Sequence, residues 1–139
     1  MDGVLEIGGV LFVNDSKATN VAAATVGLRA FEGGVHAILG GSEKDEAFAQ
    51  LLEPVRERCA ACYLIGATAE RLATELAPAR EAGIELRRCA SLDDAIRQAA
   101  VGAVPGEVVL LSPACASFDA FADFEARGER FREIVEGLR

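Results

Sequence analysis

The 139-residue sequence lacks several motifs that would assign a function directly. It has no GxxxxGK[ST] phosphate loop and no GxGxxG fingerprint, so it does not encode a free-standing nucleotide-dependent enzyme. The one histidine, His36, lies in an apolar run, which excludes a credible Ser/His/Asp catalytic set. No apolar run is long enough to cross a bilayer and no secretory signal is visible, so we expect a cytoplasmic protein with no membrane partner.

Basic residues and metal-ligating residues are also scarce. The 14 basic and 22 acidic residues give a net charge of −8, which argues against nucleic acid as a partner but leaves room for a small anion. Cys59 and Cys62 form a CxxC pair, but no second pair and no nearby histidine completes a zinc site. The pair is predicted to end a helix and enter a strand, where no helix N-terminus lowers a thiol pKa. We therefore expect four buried, reduced cysteines and no metal site.

Apolar runs alternate with amphipathic segments along the whole chain, and the connections are short. This pattern predicts an α/β fold: a Rossmann-like, three-layer domain with a mostly parallel sheet of about six strands and helices on both faces. The first nine residues are expected to form a short strand and turn. The other predicted strands are residues 10–13, 35–39, 62–65, 84–88 and 108–111, and the predicted helices are residues 21–31, 46–58, 68–76, a segment from Ser91, and 124–138.

Helix signals in the sequence add local detail. Asn20 or Thr19 is expected to cap the first helix, Ser91 the fourth and Asp123 the last. Pro54 is expected to kink or break the second helix, because a proline ring clashes with the preceding turn.

The most unusual segment is residues 14–20, NDSKATN, which joins the first buried strand to the first helix. Such residues often do no more than form turns and caps. However, the carboxyl ends of parallel strands meet at one edge of a sheet, where ligands bind in this architecture. Two later loops should reach the same edge. One carries Lys44 after the paired glycines Gly40 and Gly41, and the other carries Ser112 and Ser117.

Lysines and hydroxyls beside helix N-termini are typical of an anion site. The Ser117 hydroxyl and the Phe124 backbone N–H are predicted to bind one carboxylate, and Lys44 with the Thr19 hydroxyl a second. The expected ligand is a small dianion, such as a dicarboxylate or a phosphate ester. From the residues alone, a stand-alone binding module for such a ligand and a structural domain with idle loops both remain open.

Three strings of the sequence resemble the C-terminal domain of the Mur ligases, and within them the ligases that add D-glutamate. They are residues 13–20, VNDSKATN; residues 39–44, LGGSEK; and residues 110–119, LLSPACASFD, with FE at 124–125 and RG at 127–128 downstream. The resemblance extends from about Gly9 to Arg139. Ser42 and Glu43 depart from the Asp-Gly that the resemblance leads us to expect before the lysine.

The resemblance implies ATP-dependent amide formation in peptidoglycan synthesis. ATP and Mg²⁺ would convert the carboxylate of UDP-N-acetylmuramoyl-L-alanine to an acyl phosphate, which the amine of D-glutamate then attacks. Thr19 and Lys44 would bind the α-carboxylate of D-glutamate, and Ser117 and the Phe124 backbone its side-chain carboxylate. Asp15 and Lys17 would face the nucleotide and the transferred phosphate, with Lys17 as the catalytic residue.

The resemblance also implies a domain organisation. Complete Mur ligases have three domains, and residues 1–139 match the third. The UDP-binding domain and the central ATPase domain are expected to be absent here, together with the phosphate loop and the magnesium ligands. We therefore expect a single amino-acid-binding domain that closes on ATP in the complete enzyme and has no ligase activity alone.

Overall fold

The computed structural model describes residues 3–43 and 45–139. Its strands are β1 (Gly3–Ile7), β2 (Val10–Asn14), β3 (Val35–Gly40), β4 (Cys59–Ile65), β5 (Glu85–Arg88) and β6 (Val108–Leu111). Its helices are α1 (Val21–Arg29), α2 (Leu52–Arg58), α3 (Ala69–Glu75), α4 (Leu92–Gly102) and α5 (Phe124–Gly137). Short 3₁₀ segments precede α2, at Ala49–Leu51, and follow α3, at Ala77–Ala82.

The six strands form one sheet in the order β1-β2-β6-β3-β4-β5. Strands β2, β6, β3, β4 and β5 are parallel to one another, and β1 pairs antiparallel with β2 at one edge. One face packs on α1, α2 and α3 through residues such as Leu28, Val55 and Leu72. The other packs on α4 and α5 through residues such as Ile96 and Phe131. The predicted three-layer, mostly parallel α/β fold is confirmed.

Strand β6 determines where the site can form. It is the last strand in the chain, yet it inserts between β2 and β3, with parallel registers to both. The carboxyl ends of β2, β6 and β3 are therefore neighbours. This is the topological switch point at which ligands bind in open parallel sheets.

The predicted helix caps are confirmed, and the side chains that form them share one geometry. Asn20 Oδ1 accepts a hydrogen bond from Ala23 N at 2.8 Å. Asp123 Oδ1 accepts one from Ala126 N at 2.8 Å. Ser91 Oγ accepts the corresponding bond from Asp94 N. Of the two candidates for α1, Asn20 rather than Thr19 is the cap.

Helix α2 begins later than predicted. Residues 46–48 do not join it, because Glu46 and Phe48 make hydrogen bonds with α1 and α3 instead. The helix starts at Leu52, so Pro54 lies in its first turn, where a missing N–H costs no helical hydrogen bond. The expected kink or break at Pro54 was wrong for this reason.

One prediction of burial also needs correction. Cys59 is half-buried, whereas the other three cysteines are buried; all four are free thiols. The pair does lie where α2 ends and β4 begins. Phe124, the first residue of α5, has 39% of its surface exposed. Its side chain therefore lies outside the core.

Within residues 3–43 and 45–139, no group of three His, Cys, Asp or Glu residues is arranged to hold a metal ion. In the same part of the chain, no helix is both long enough and apolar enough to cross a membrane.

Candidate functional site

The loops that follow β2, β3 and β6 meet at the carboxyl edge of the sheet and are joined through their backbones. Ala114 N donates to Ala18 O at 2.9 Å, which links the β6 loop to the β2 loop. Ser42 N donates to Ala116 O at 2.8 Å, and Gly40 N donates to Pro113 O at 2.9 Å. The β6 loop therefore lies between the other two and fixes their separation.

Glycine allows this close approach after β3. Gly40 has a φ of 118°, and a Cβ added to it would lie 2.1 Å from Ile65 O. A Cβ on Gly41, whose φ is 154°, would lie 2.3 Å from Ala116 O. No side chain fits at either position, so this close approach of the backbones depends on glycine. The β6 loop is also under strain, since Ala114 adopts a φ of 64° that non-glycine residues seldom adopt.

Asp15 lies at the base of the β2 loop. It is 6% exposed, and its Oδ2 accepts a hydrogen bond from Ser112 Oγ at 2.9 Å. Helix α1 passes close to this pair at Gly27, where an added Cβ would be 2.7 Å from Asp15 Oδ2. At least one carboxylate oxygen therefore holds two loops together beneath α1. That Asp15 faces a nucleotide remains a prediction.

Further along the same loop, exposure varies from residue to residue. Lys17 is exposed and Thr19 is half-buried, whereas Ala18 between them is buried at 1% exposure. Because Ala18 O accepts the Ala114 N–H, the backbone between the two polar residues is fixed. Lys17 and Thr19 thus lie at the site edge on an anchored turn. Lys44 falls outside the described residues, and its role stays a prediction.

Ser117 has an unusual environment. It is 1% exposed, and its Oγ has no hydrogen-bond partner among the described residues, the only buried side-chain oxygen or nitrogen there of which this is true. A buried hydroxyl left unpaired costs about 1–3 kcal/mol, so such groups point to a missing partner. Seven residues further on, Phe124 is the first residue of the 14-residue α5, where an N–H has no helical acceptor. Both groups can donate a hydrogen bond to an anion.

Arg127 was missed as a functional candidate, although it lies in one of the quoted motifs. It is 1% exposed and extends from α5 beneath the loops. Its Nε donates to Ser16 Oγ at 2.8 Å, one terminal nitrogen to Ser16 O at 2.6 Å, and the other to Cys115 O at 2.9 Å. Burial lowers the pKa of this guanidinium to about 10. An arginine in a polar helix is usually exposed, so only its FExRG context could have indicated this position.

A cavity of about 210 Å³ opens beside the three loops. Its lining includes Gly41, Gly66, Asp119, Arg127 and Arg130, and none of the predicted site residues that the structure describes. On its wall, Arg130 binds Asp93 through two hydrogen bonds, of 3.2 and 2.5 Å, which hold the pKa of Asp93 below its usual value. The cavity is therefore a neighbour of the candidate site rather than its predicted centre.

Comparison with known families gives a clear match. The family model described as "Mur ligase, glutamate ligase domain" matches residues 1–115. The chain belongs to this family. The resemblance predicted from the three strings is confirmed, and the loops that carry those strings are the ones that meet at the sheet edge.

Three curated relatives illustrate the similarity, and each is named UDP-N-acetylmuramoylalanine--D-glutamate ligase. The protein of Solibacter usitatus is 47% identical over 138 residues, which are 99% of this chain and 30% of the relative. That of Novosphingobium aromaticivorans is 49% identical over 99% of this chain and 30% of the relative. That of Pseudomonas putida is 45% identical over 97% of this chain and 30% of the relative. The chain thus spans about 30% of the length of these relatives.

The described residues of this Mur ligase domain do not fit a magnesium site. They contain no suitable cluster of acidic or histidine ligands, and Asp15, the one acidic residue buried at the site, already binds Ser112. A hard cation such as Mg²⁺ prefers carboxylate oxygens and water in octahedral geometry. No step of the reaction is therefore assigned to a metal on these residues.

Proposed function

We propose that this chain is the amino-acid-binding domain of an ATP-dependent ligase that joins D-glutamate to UDP-N-acetylmuramoyl-L-alanine in peptidoglycan synthesis. Family membership and relatives of that name, matched over nearly the whole chain, support the proposal. The observation that carries it is the buried Ser117 hydroxyl, which has no hydrogen-bond partner among the described residues and so keeps a donor for a ligand.

In the proposed site, each carboxylate of D-glutamate has two ligands. The Ser117 hydroxyl and the Phe124 backbone N–H donate to the side-chain carboxylate, and the positive end of the α5 dipole favours its charge. The Thr19 hydroxyl and the Lys44 ammonium bind the α-carboxylate. The place of Lys44 in this scheme rests on its sequence position, three residues after the fixed backbone of Gly41.

The binding of both carboxylates orients the amine for reaction. The nitrogen lone pair attacks the carbonyl carbon of the acyl phosphate, the C–N bond forms, and the C–O bond to phosphate breaks as the amine loses a proton. Holding the two reactants in this geometry supplies much of the rate enhancement. Lys17, exposed on its anchored turn, offsets the negative charge of the nucleotide and the departing phosphate.

The proposed enzyme needs parts that this sequence does not contain. The phosphate loop, the UDP site and the ligands of Mg²⁺ belong to the other two domains of the complete ligase, and this domain closes on ATP bound there. The alternative of a stand-alone binding module is not favoured, because the relatives that match 97–99% of the chain are ligases by name.

An NMR titration of the isotope-labelled chain with D-glutamate tests the proposal, with L-glutamate as the control. A dissociation constant near 1 mM, equivalent to about −4 kcal/mol, is readily measured in this way. We expect D-glutamate to shift the resonances of Thr19, Lys44, Ser117 and Phe124 selectively. Equal shifts with both enantiomers, or none with either, would contradict a D-glutamate site on this chain.

A further inference from the structure

The loop that carries Lys44 is held by one face of α3. Thr68, Arg71 and Glu75 lie three and four residues apart, so their side chains lie along the same side of this helix. All three contact the segment between Gly41 and Phe48. None was a candidate site residue, and Thr68 was predicted only to begin the helix at residues 68–76.

Thr68 fixes the start of the loop. Its hydroxyl accepts a hydrogen bond from Gly41 N at 3.1 Å and lies 3.3 Å from Gly41 O, and its own N–H donates to Gly41 O at 3.2 Å. The same hydroxyl lies 3.5 Å from Cys115 Sγ in the β6 loop. Thr68 is fully buried, and its side chain makes no capping bond to α3. The hydroxyl therefore joins the β3 and β6 loops rather than stabilising its own helix.

Arg71 holds both sides of position 44. Its guanidinium forms an ion pair with Glu43 and donates to Glu46 O at 2.8 Å. The same group lies 4.7 Å above the centre of the Phe48 ring, within the range of a cation–π contact. One side chain thus contacts the residue before Lys44 and two residues after it.

Glu75 and Glu46 complete the attachment. Glu75 Oε1 accepts a hydrogen bond from Phe48 N at 2.8 Å, which fixes the end of the loop. Glu46 Oε1 accepts one from Val21 N, the first residue of α1, at 3.0 Å. Because Val21 lies two residues after Thr19, this bond relates the Lys44 loop to the other proposed ligand of the α-carboxylate.

We propose that Thr68, Arg71 and Glu75 are positioning residues that set the affinity for D-glutamate. They hold the Lys44 loop and the β6 loop, which carries Ser117, in their binding geometry. The inference rests on the proposed function of these loops. A loop ordered before binding loses less conformational entropy when the ligand arrives, which raises affinity without any new contact.

Four variants of the chain separate positioning from general stability. Thr68→Val removes the hydroxyl at nearly constant shape, and Thr68→Ser restores it. Arg71→Ala removes the side chain that contacts both sides of position 44. Its matched control is Arg88→Ala on β5, which breaks an exposed 2.7 Å ion pair with Glu70 of α3. Thermal unfolding confirms that each variant folds, and if Thr68→Val does not, the half-exposed Arg71 still provides the test.

The first measurement is amide hydrogen exchange without ligand. We expect Gly41 to exchange about tenfold faster in Thr68→Val, because its amide loses the Thr68 hydroxyl as acceptor. We expect a similar increase for Phe48 in Arg71→Ala, because the loop loses the hydrogen bond from Arg71 to Glu46 O and opens more often. Thr68→Ser and Arg88→Ala should remain within about twofold of the parent chain, since exposed ion pairs contribute little. Unchanged exchange in both Thr68→Val and Arg71→Ala would overturn the inference.

The second measurement is the dissociation constant for D-glutamate by NMR titration. We expect it to rise about tenfold in Thr68→Val and Arg71→Ala and to return to the parent value in Thr68→Ser. If the parent chain binds D-glutamate selectively and both variants bind it equally well, the positioning role is wrong and the proposed function stands. If the parent chain shows no selective binding, the proposed function itself fails.

Discussion

At the scale of single residues, the buried guanidinium of Arg127 joins the last helix to the loops of the candidate site. Its hydrogen bonds to Ser16 and Cys115 connect α5 to two of the three loops. Lysine keeps the charge but loses the planar fork, so Arg127→Lys should lower the free energy of unfolding by about 2–3 kcal/mol. Chemical denaturation measures this change.

The control for that substitution is Arg132→Lys on the same helix. Arg132 is 59% exposed and pairs with Glu129 on the surface, so its replacement should change the free energy of unfolding by less than about 0.5 kcal/mol. Equal effects of the two substitutions would contradict the structural role of Arg127.

Ser117 and Ser112 are both buried serines of the β6 loop, but their hydroxyls have opposite consequences for stability. Ser117 Oγ is unpaired among the described residues, whereas Ser112 Oγ binds Asp15. Ser117→Ala should weaken D-glutamate binding. It should leave the free energy of unfolding unchanged or raise it by up to about 1 kcal/mol, so it should not lower the melting temperature. Ser112→Ala should lower it, because it leaves the buried Asp15 carboxylate without this donor. A lower melting temperature for Ser117→Ala would contradict the assignment of its hydroxyl to a ligand.

Tyr63, the single tyrosine of the chain, gives a clear test of burial away from the site. It is 2% exposed, and its hydroxyl lies 3.0 Å from His36 Nδ1. Burial raises its pKa from 10.0 to about 12. The unfolded chain therefore loses this proton first, and the associated stability is present below pH 10 and is lost between about pH 10 and pH 12.

Phenolate absorbance reports this titration without interference from other tyrosines. We expect an inflection near pH 12 in the native chain and near pH 10 in concentrated guanidinium. Tyr63→Phe, which removes the signal, is the control. A native inflection near pH 10 would show that the ring is not buried as described.

At the scale of the elements, helix α1 must pass very close to the Asp15–Ser112 pair. An ideal Cβ on Gly27 would lie 2.6 Å from Ser112 Oγ and 2.7 Å from Asp15 Oδ2. Helix propensity alone favours alanine by about 1 kcal/mol, but the clash opposes it, so Gly27→Ala should destabilise the chain by about 1–3 kcal/mol. Gly137→Ala, with nothing within 4 Å in α5, should be neutral or stabilising. Chemical denaturation of both variants measures the difference.

The elements also show what local sequence can predict. Asn20, Ser91 and Asp123 each cap the helix that begins immediately after them, and a cap depends only on neighbouring residues. The predicted start of α2 was wrong because residues 46–48 bind Val21 and Glu75, each more than 20 positions away. Short-range patterns contain no information about such contacts.

The same limit explains what was missed at the site. Asp15 and Ser112 are 97 positions apart, so their hydrogen bond and the burial of the carboxylate could not be read from either loop. The 111-residue separation of Ser16 and Arg127 concealed the buried arginine in the same way. By contrast, the meeting of the three loops was predictable, because it follows from strand direction and the switch point alone.

At the scale of the whole molecule, the sheet positions the three loops of the candidate site, but the sequence has no phosphate loop to bind ATP. No GxxxxGK[ST] string occurs in the 139 residues, and the described part offers no magnesium cluster. We therefore expect the pure chain, given ATP, Mg²⁺, UDP-N-acetylmuramoyl-L-alanine and D-glutamate, to release no phosphate. Phosphate release that depends on both ATP and D-glutamate would contradict this prediction.

A chimera supplies the positive counterpart. We expect activity when the chain replaces the matching 30% of the Pseudomonas putida relative, whose remaining sequence would contribute the other domains. Lys44→Ala in the chimera should raise the KM for D-glutamate more than it changes the KM for ATP, since it removes one charge-assisted contact to a carboxylate. Arg88→Ala, which removes an exposed ion pair with Glu70, is the matched control. An active chimera in which Lys44→Ala affects neither constant would show that D-glutamate binds without this lysine.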